Sequence, residues 1–555
     1  MFKSILKFSL FLFLSLNLFA LDNPRSDFMQ KDFQITLDWL ENRPKSSAKD
    51  FFILQFLEDE NLSYETAKKA YDMRKGNNGT LDRAFKQKFN EKLSPEDRFC
   101  YNASIMELKS SNPRCIALAL GSLKKASDLS KTDLNFFISK LDPYPTLKKD
   151  LQTIVSNTVF EDLKASGSLR FLRIFFEVSD DYRNKYLNKS INVNFLNELS
   201  QSKDFEKFLR YVIYSKDLNN IQKSLDNLNT NINLTPTISF MLGINAINNK
   251  DFIKAKDFFN QSYNNSYSRA DKDKSLYWLY LSTNDKNFLN ELSNSTDINI
   301  YSLYAKELLN IKIDNIFHNL NLKNQPTNYD VYDPFLWDEV VEDTKKNLDE
   351  IKLQKYYNIF SSKDTEPHMA FILERFEKYK THYFITPYRD ILKNYDLDKQ
   401  ILIYSIARQE SRFIPSAISF SSAQGMMQIM PFLSKDIAKE LGQSYNIYDQ
   451  FNPKKNIEFG SYHLDKLNKQ FDNNPLFVAY AYNGGAGYTR TQLKKGLFKE
   501  KNKFEPFLSM EMISYNETKD YGKKVLTNYY IYNNYLNSEN KISLSTILQS
   551  LVSPY

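Results

Sequence analysis

From about Asp27 to His318 the chain is a succession of short amphipathic segments, none of them long enough to stand alone. Asp32–Glu41, Ala48–Glu58, Tyr64–Met73, Leu134–Leu141 and Phe205–Tyr214 each gather apolar residues on one face, with polar turns such as Gly76–Gly79 and Ser179–Asp181 elsewhere in the run. Helices of this length are marginal in water, so each must bury its apolar face on a neighbour. Stacked helical hairpins meet that requirement. Only 13 glycines and 17 prolines occur in 555 residues, which argues against a turn-dense sheet and for long stretches of helix. The expected fold class is all-α, with an α-superhelical solenoid of helical hairpins whose closure into a ring the pattern leaves open.

A chain of this length exceeds one compact core, and breaks in the pattern divide it. Met241 to Tyr263 is the clearest hairpin unit. Leu242-Gly243, Ala255 and Phe259 match part of a tetratricopeptide pattern, while Ser239 and Ala246 stand at its aromatic positions. Asn321 to Phe335 has two prolines and no periodicity, and Phe384 to Tyr388 is a second break. The expected organisation is a superhelical domain over 21–320, a small helical linker domain over 321–383 and a C-terminal domain over 384–555. Residues 1–20 pair Lys3 and Lys7 with the apolar run Phe8–Phe19 and end at Ala20, the pattern of a cleaved export signal. No later run is long and apolar enough to cross a membrane.

Composition excludes several classes. The net charge of +7 is spread over 74 basic and 67 acidic residues without a basic block, so nucleic acid is not an expected partner. The four histidines are scattered and no Cys/His set suits a metal, so neither a metal nor another cofactor is expected. Cys100 and Cys115 are the two cysteines. In an oxidising compartment they could close one disulfide, with two buried thiols as the alternative; export favours the disulfide.

The chemistry concentrates between Ile403 and Pro431. Ile403, Ile406, Ala407 and Glu410 lie at i, i+3, i+4 and i+7 of a helix expected over Asp396–Ser411. The carboxyl therefore continues an apolar stripe, near the negative end of the helix dipole. Both conditions disfavour its charged form and suit a general acid. A surface glutamate paired with Arg408 or Arg412 is the plainer alternative. Gly425 to Pro431 is apolar except for Gln428. Gly425 implies a close backbone approach, Gln428 can fix an acetamido or hydroxyl group, and Met430 can pack on a sugar face, with one of Met426 and Met427 as core filler. A third element ends at Ala481-Tyr482-Asn483 before three glycines. A last helix opens at Asn516, an expected N-cap, and carries Glu517 in its first turn.

Ile406–Ser411, Gly425–Pro431, Ala481–Asn483 and Glu517-Thr518 with Tyr521 resemble, in order and spacing, the soluble lytic murein transglycosylases of the Slt type. That family has a goose-lysozyme-like catalytic domain behind a large α-superhelix and a linker. Met426 stands where the family usually has Leu, Gly484 where it has Ala, and Ala486 where it has Pro. The resemblance implies cleavage of the β-1,4 bond between N-acetylmuramic acid and N-acetylglucosamine in peptidoglycan strands, leaving 1,6-anhydromuramic ends. It implies Glu410 as the single acid and then base. It implies a saccharide groove lined by Ser419, Gln428, Met430, Ala481, Tyr482, Asn483 and Glu517. A periplasmic location follows from the export signal, and other cell-wall enzymes are candidate partners. Two alternatives stand beside this: a muramidase using water on the same scaffold, and a non-catalytic protein whose solenoid binds partners while the C-terminal domain grips glycan.

Overall fold

The computed structural model describes residues 26–30, 33–89, 94–215, 217–325 and 328–552. The expected export signal lies outside the described residues. What is described is helical almost throughout. Its one sheet is two short parallel strands, β1 (Ile316–Phe317) and β2 (His382–Tyr383). Local rules account for most helix ends. The first helix starts only at Leu37, because the Thr36 hydroxyl accepts from Trp39 N and caps it there.

The first helices, among them α1 (Ser47–Phe56), pack around Phe28, Phe51 and Phe52. This cluster takes in Phe335 from the region after the superhelix and Phe451 from the C-terminal domain. The ring of Phe52 stacks on Phe335 at 5.5 Å and on Tyr448 at 5.8 Å. The chain then builds a second core from Cys100 to Phe258, the superhelical run proper. Near its start a disulfide joins Cys100 to Cys115, with Cα atoms 5.0 Å apart.

The hairpin of α2 (Pro236–Asn248) and α3 (Phe252–Asn265) follows, and then α4 (Arg269–Thr283) and α5 (Ile300–Leu308). In the hairpin the Phe259 ring lies where a side chain on Gly243 would have to go. Most of the buried residues between Phe240 and Ala305 merge into one core with the C-terminal domain. The superhelix is therefore seated on that domain at both ends, through aromatic contacts at its start and a continuous core at its finish.

Helices α6 (Pro334–Lys346) and α7 (Glu366–Phe376) belong to a smaller core around Trp337, Tyr356, Phe360 and Met369. Ile414, from the turn that follows the acid-bearing helix, is buried in that same cluster. The C-terminal domain is built on α8 (Leu397–Ser411), α9 (Pro431–Glu440), α10 (Pro453–Gln470), α11 (Pro475–Gly484) and α12 (Ala486–Lys494). It continues with the short α13 (Phe507–Glu511) and the long α14 (Asn516–Leu536). Helix α8 is buried from Ile401 to Arg408. It lies along α14, where Asn528 donates to Ser405 O at 3.0 Å and Tyr404 stacks on Tyr532 at 5.4 Å.

Candidate active site

The acid helix ends abruptly. Arg412 and Phe413 both take left-handed backbone angles, φ 58° and 68°, so the chain turns back directly after Ser411. The Ser411 hydroxyl accepts from Ile414 N at 3.1 Å and donates to Met426 O at 2.8 Å. That ties the end of α8 to the segment 416–430. The segment is not helical: it folds on itself through bridges Ile418–Gln424 and Gln424–Ile429. Gly425 sits at φ +74°, and a Cβ there would come within 2.2 Å of Gln450 O and 2.5 Å of Asn456 Nδ2. Only glycine serves at this position. Asn456 of α10 clamps the arm, accepting from Met427 N at 2.8 Å and donating to Gln424 O at 3.2 Å.

Glu410 is the chemical centre. Its helix neighbours Ile403, Ile406 and Ala407 are fully buried, as the stripe requires. Burial pushes its carboxyl up to about 8, and the Glu517 charge adds to the rise. A hydrogen bond from the Tyr521 hydroxyl, at 2.7 Å to Oε1, works against it. The two arginines that sequence alone would pair with Glu410 go elsewhere. Arg408 and Arg412 both bind Glu374 of α7, at 2.8 and 3.0 Å. Tyr383 N donates to the same carboxylate at 2.9 Å. Burial would raise the Glu374 carboxyl, but Arg412 and Arg408 outweigh it and hold it below the ordinary range. Among the described residues no cation pairs with Glu410 and no second carboxylate hydrogen-bonds to it.

The other expected site residues lie on two elements. At the end of the first, α11, Tyr482 donates to Met427 O at 2.7 Å, and the His463 ring lies 5.4 Å from its own. Burial, with the Glu410 charge second, keeps the Tyr482 hydroxyl well above its ordinary pKa, so it stays protonated. Ala481 is buried, and its carbonyl accepts from Gly485 N at 3.0 Å. Asn483 donates to Glu517 at 3.2 Å and accepts from the Thr518 hydroxyl at 2.7 Å. Glu517 itself is exposed. It opens the first turn of α14 behind Tyr515, which holds the cap position that sequence assigns to Asn516.

The folded arm carries the remaining expected site residues. The Ser419 hydroxyl accepts from Ala423 N at 2.9 Å and so holds the turn. Met430, partly exposed, is the N-cap of α9. Gln428 differs from its expected role in one respect. Its amide NH2 is already spent on Ala417 O at 3.0 Å and Gly425 O at 2.8 Å, which leaves only its carbonyl oxygen for a ligand. Met426 and Met427 are both fully buried, so both fill the core.

Tyr521 is the residue whose part sequence reasoning missed. It stood in the recognised pattern without a role. The missed signal is its i+3 spacing from Thr518, which puts both on the face of α14 turned to the site. Its hydroxyl is kept protonated by burial and by the Glu410 charge. The whole can deliver a proton from a desolvated carboxyl and take one back. The phenols of Tyr521 and Tyr482 are the groups next to that carboxyl.

The site is thus a desolvated glutamic acid at the end of a largely buried helix, beside a folded arm, in an all-α domain. Residues 389–505 match the family model for the Transglycosylase SLT domain. The chain is 34% identical over 148 residues to the soluble lytic murein transglycosylase of Escherichia coli (strain K12), which is 26% of this chain and 22% of that protein. It is 33% identical over 150 residues to a putative soluble lytic murein transglycosylase of Haemophilus influenzae, 27% of this chain and 24% of that one. The matched segment thus spans less than a quarter of either relative. The crystal structure of the 70 kDa soluble lytic transglycosylase of E. coli aligns over 93% of this chain and 84% of its own, with 18% identity and a TM-score of 0.45.

Proposed function

We propose that the chain is a peptidoglycan lytic transglycosylase. It cuts the β-1,4 bond between N-acetylmuramic acid and N-acetylglucosamine and leaves a 1,6-anhydromuramic end. The observation that carries this is the state of Glu410: a partly exposed but desolvated carboxyl, pushed up to about 8, with no cation among the described residues beside it and a phenol donating to it. Such a group is protonated at neutral pH and can act as an acid.

Glu410 donates its proton to the glycosidic oxygen as the C1–O bond breaks. The substrate's own acetamido oxygen supports the positive charge at C1. The carboxylate then removes the proton of the muramic C6 hydroxyl as that oxygen bonds to C1. No water is consumed, and the proton balance returns Glu410 to its starting state. The Tyr521 hydroxyl steadies the carboxylate between the two transfers. Asn483, Glu517 and the Gln428 carbonyl offer one donor and two acceptors to the acetamido and hydroxyl groups of the strand. Ordinary glycosidases flank the bond with two carboxylates. Here only Glu517 is near enough for its charge to act on Glu410, and it is tied to Asn483.

The periplasm is the compartment this activity requires. A signal over residues 1–20 fits it, as does the disulfide between Cys100 and Cys115. Among the described residues no helix is long and apolar enough to cross a membrane. The organisation we propose is a superhelical domain to residue 320, a linker to 383 and the catalytic domain from 384.

Digestion of purified sacculi tests the reading. Glu410→Gln should lower turnover by about 10³-fold or more, since one group serves as acid and as base. Mass spectrometry of the wild-type products should find muramic ends lighter by one water than hydrolytic ends. Reducing ends in their place would assign the scaffold to a muramidase. Undiminished turnover by Glu410→Gln would end both readings.

A further inference from the structure

Helix α14 presents polar side chains on two opposed faces. Thr518 and Tyr521 turn toward the site, binding Asn483 and Glu410. Lys519 and Lys523, four residues apart, turn the other way. Lys523 Nζ donates to Glu511 Oε1 at 2.8 Å and to the Tyr301 hydroxyl at 3.3 Å, while Tyr301 donates to Glu511 Oε1 at 2.5 Å. Lys519 Nζ donates to the Tyr214 hydroxyl at 2.7 Å and lies 3.8 Å from Glu511 Oε2. Tyr301 sits in α5 and Tyr214 follows the helix Phe205–Ile213, so both come from the N-terminal helices that precede residue 320. Glu511, Lys523, Lys519 and Tyr301 are 3 to 8% exposed. Asp520 adds an ion pair to Lys523 at 3.2 Å from the rim, and Lys274 of α4 contributes its charge to Glu511.

Beside this cluster α14 has no slack. A Cβ on Gly522 would fall 2.1 Å from the Tyr480 ring of α11. The helix is thus held by α11 at Gly522 and by the superhelix at Lys519 and Lys523, and Tyr521 lies between these fixed points. A buried ionic cluster is a weak device for stability alone, because apolar residues of the same volume serve as well. What directional bonds add is a defined rotation and axial register of the helix that carries them.

We propose that the Tyr301–Glu511–Lys523 cluster, with Tyr214–Lys519 beside it, is a positioning device through which the docked superhelix sets the place of the Tyr521 hydroxyl on Glu410. This rests on the reading of Glu410 as the reacting acid. The bond it protects is 2.7 Å long, and hydrogen bonds weaken steeply once they are stretched or bent. That bond favours the carboxylate, which is the base of the second half of the reaction. The groups that face Glu410 are Tyr521 and Glu517 on α14 and Tyr482 on α11, while Arg408 and Arg412 of its own helix are held by Glu374. Displacing Tyr521 therefore leaves burial and Glu517 unopposed, and Glu410 holds its proton to higher pH.

The experiment compares wild type, the double variant Glu511→Gln/Lys523→Met, Tyr521→Phe and the triple variant, with kcat and KM measured on purified glycan strands from pH 5 to 10. The double variant removes both charges together and keeps the volume. Its kcat should fall about tenfold with KM within twofold, and its alkaline limb should move to higher pH. Tyr521→Phe should do the same, and the triple variant should match Tyr521→Phe alone, because the cluster acts through that hydroxyl. An unmoved alkaline limb, or effects that multiply in the triple variant, would overturn the proposal. If the double variant does not fold, Tyr301→Phe carries the same comparison, with a kcat loss of about threefold expected and an unmoved limb again decisive. Glu410→Gln separates the two levels. If it is dead while the cluster variants keep the wild-type limb, only the positioning role fails; if it stays active, the acid reading fails first.

Discussion

Glu410 and Glu511 are two desolvated glutamates in the C-terminal part of the chain, pushed in opposite directions. The Glu410 carboxyl is raised to about 8, with burial as the first cause. The Glu511 residue is more fully enclosed, 3% exposed, yet Lys523 and Lys519 outweigh that burial and hold its carboxyl at about 2. The difference is the company. Glu410 has one phenol donating to it and no cation, and Glu511 has two ammonium groups and a phenol. Glu374 explains how Glu410 stays without a cation: it takes Arg408 and Arg412, the two positive groups nearest to Glu410 in sequence. A desolvated carboxyl becomes an acid when cations are kept from it and an anchor when they are supplied.

The sharpest way to break this comparison is to take the cation away. Lys523→Met alone strands a buried carboxylate and should cost roughly 3 kcal/mol of unfolding free energy or more. The double change with Glu511→Gln should recover most of that loss, and chemical denaturation measures both. If the single variant is as stable as wild type, Glu511 is not an anchor. The reverse experiment belongs to Glu410, whose carboxyl is already neutral near pH 7, so Glu410→Gln should not destabilise the fold.

A smaller effect with a definite sign appears in thermal melting against pH. The folded pKa of Glu410 lies above its unfolded value near 4.5. Below 4.5 it is protonated in both states and contributes nothing. Between 4.5 and about 8 the unfolded chain releases the proton and the folded chain keeps it, so wild-type stability falls as pH rises. Glu410→Gln removes that slope. The two proteins should melt together at pH 4, and the variant should melt a few degrees higher at pH 8. Glu511 works on the other side. Its stabilisation is complete above about 4.5 and is lost as pH falls toward 2, so Glu511→Gln should flatten the acid limb. Parallel melting curves for wild type and Glu410→Gln across pH 4 to 8 would refute the raised carboxyl.

How much of this was legible in the chain depends on how local each determinant is. The stripe Ile403–Ile406–Ala407–Glu410 could be read because helical periodicity acts over a few residues, and the close approach at Gly425 because only glycine permits it. The short amphipathic helices could be read for the same reason. The bond between Tyr521 and Glu410 could not be derived from spacing, since 111 residues separate the partners. Nor could the fate of Gln428, because backbone carbonyls that only a folded arm brings together consume its amide. Lys519 and Lys523 look in sequence like the solvated face of an amphipathic helix. They are buried because the superhelix returns to cover them, and no periodicity within α14 encodes that. The first expected helix starts five residues late, at Leu37, where Thr36 caps it, while the cap position of α14 moves by one residue, from Asn516 to Tyr515, the usual scatter of helix boundaries.

The smallest predicted effect refines what isolates Glu410. Besides burial, the one influence that raises its carboxyl is the charge of Glu517, an exposed residue held by Asn483. Water screens an exposed charge, so its share must be minor beside burial. Glu517→Gln keeps the shape and an acceptor for Asn483, and removes only the charge. The alkaline limb of kcat should move to lower pH by a fraction of a unit, opposite in sign to the displacement by Tyr521→Phe, and 0.5 M salt should produce a shift of the same direction in wild type but almost none in the variant. If Glu517→Gln lowered the limb by two units or more, charge and not burial would be what keeps Glu410 protonated. The contrast with Glu511 would then lie in the sign of the neighbouring charges alone, with desolvation a shared background to both.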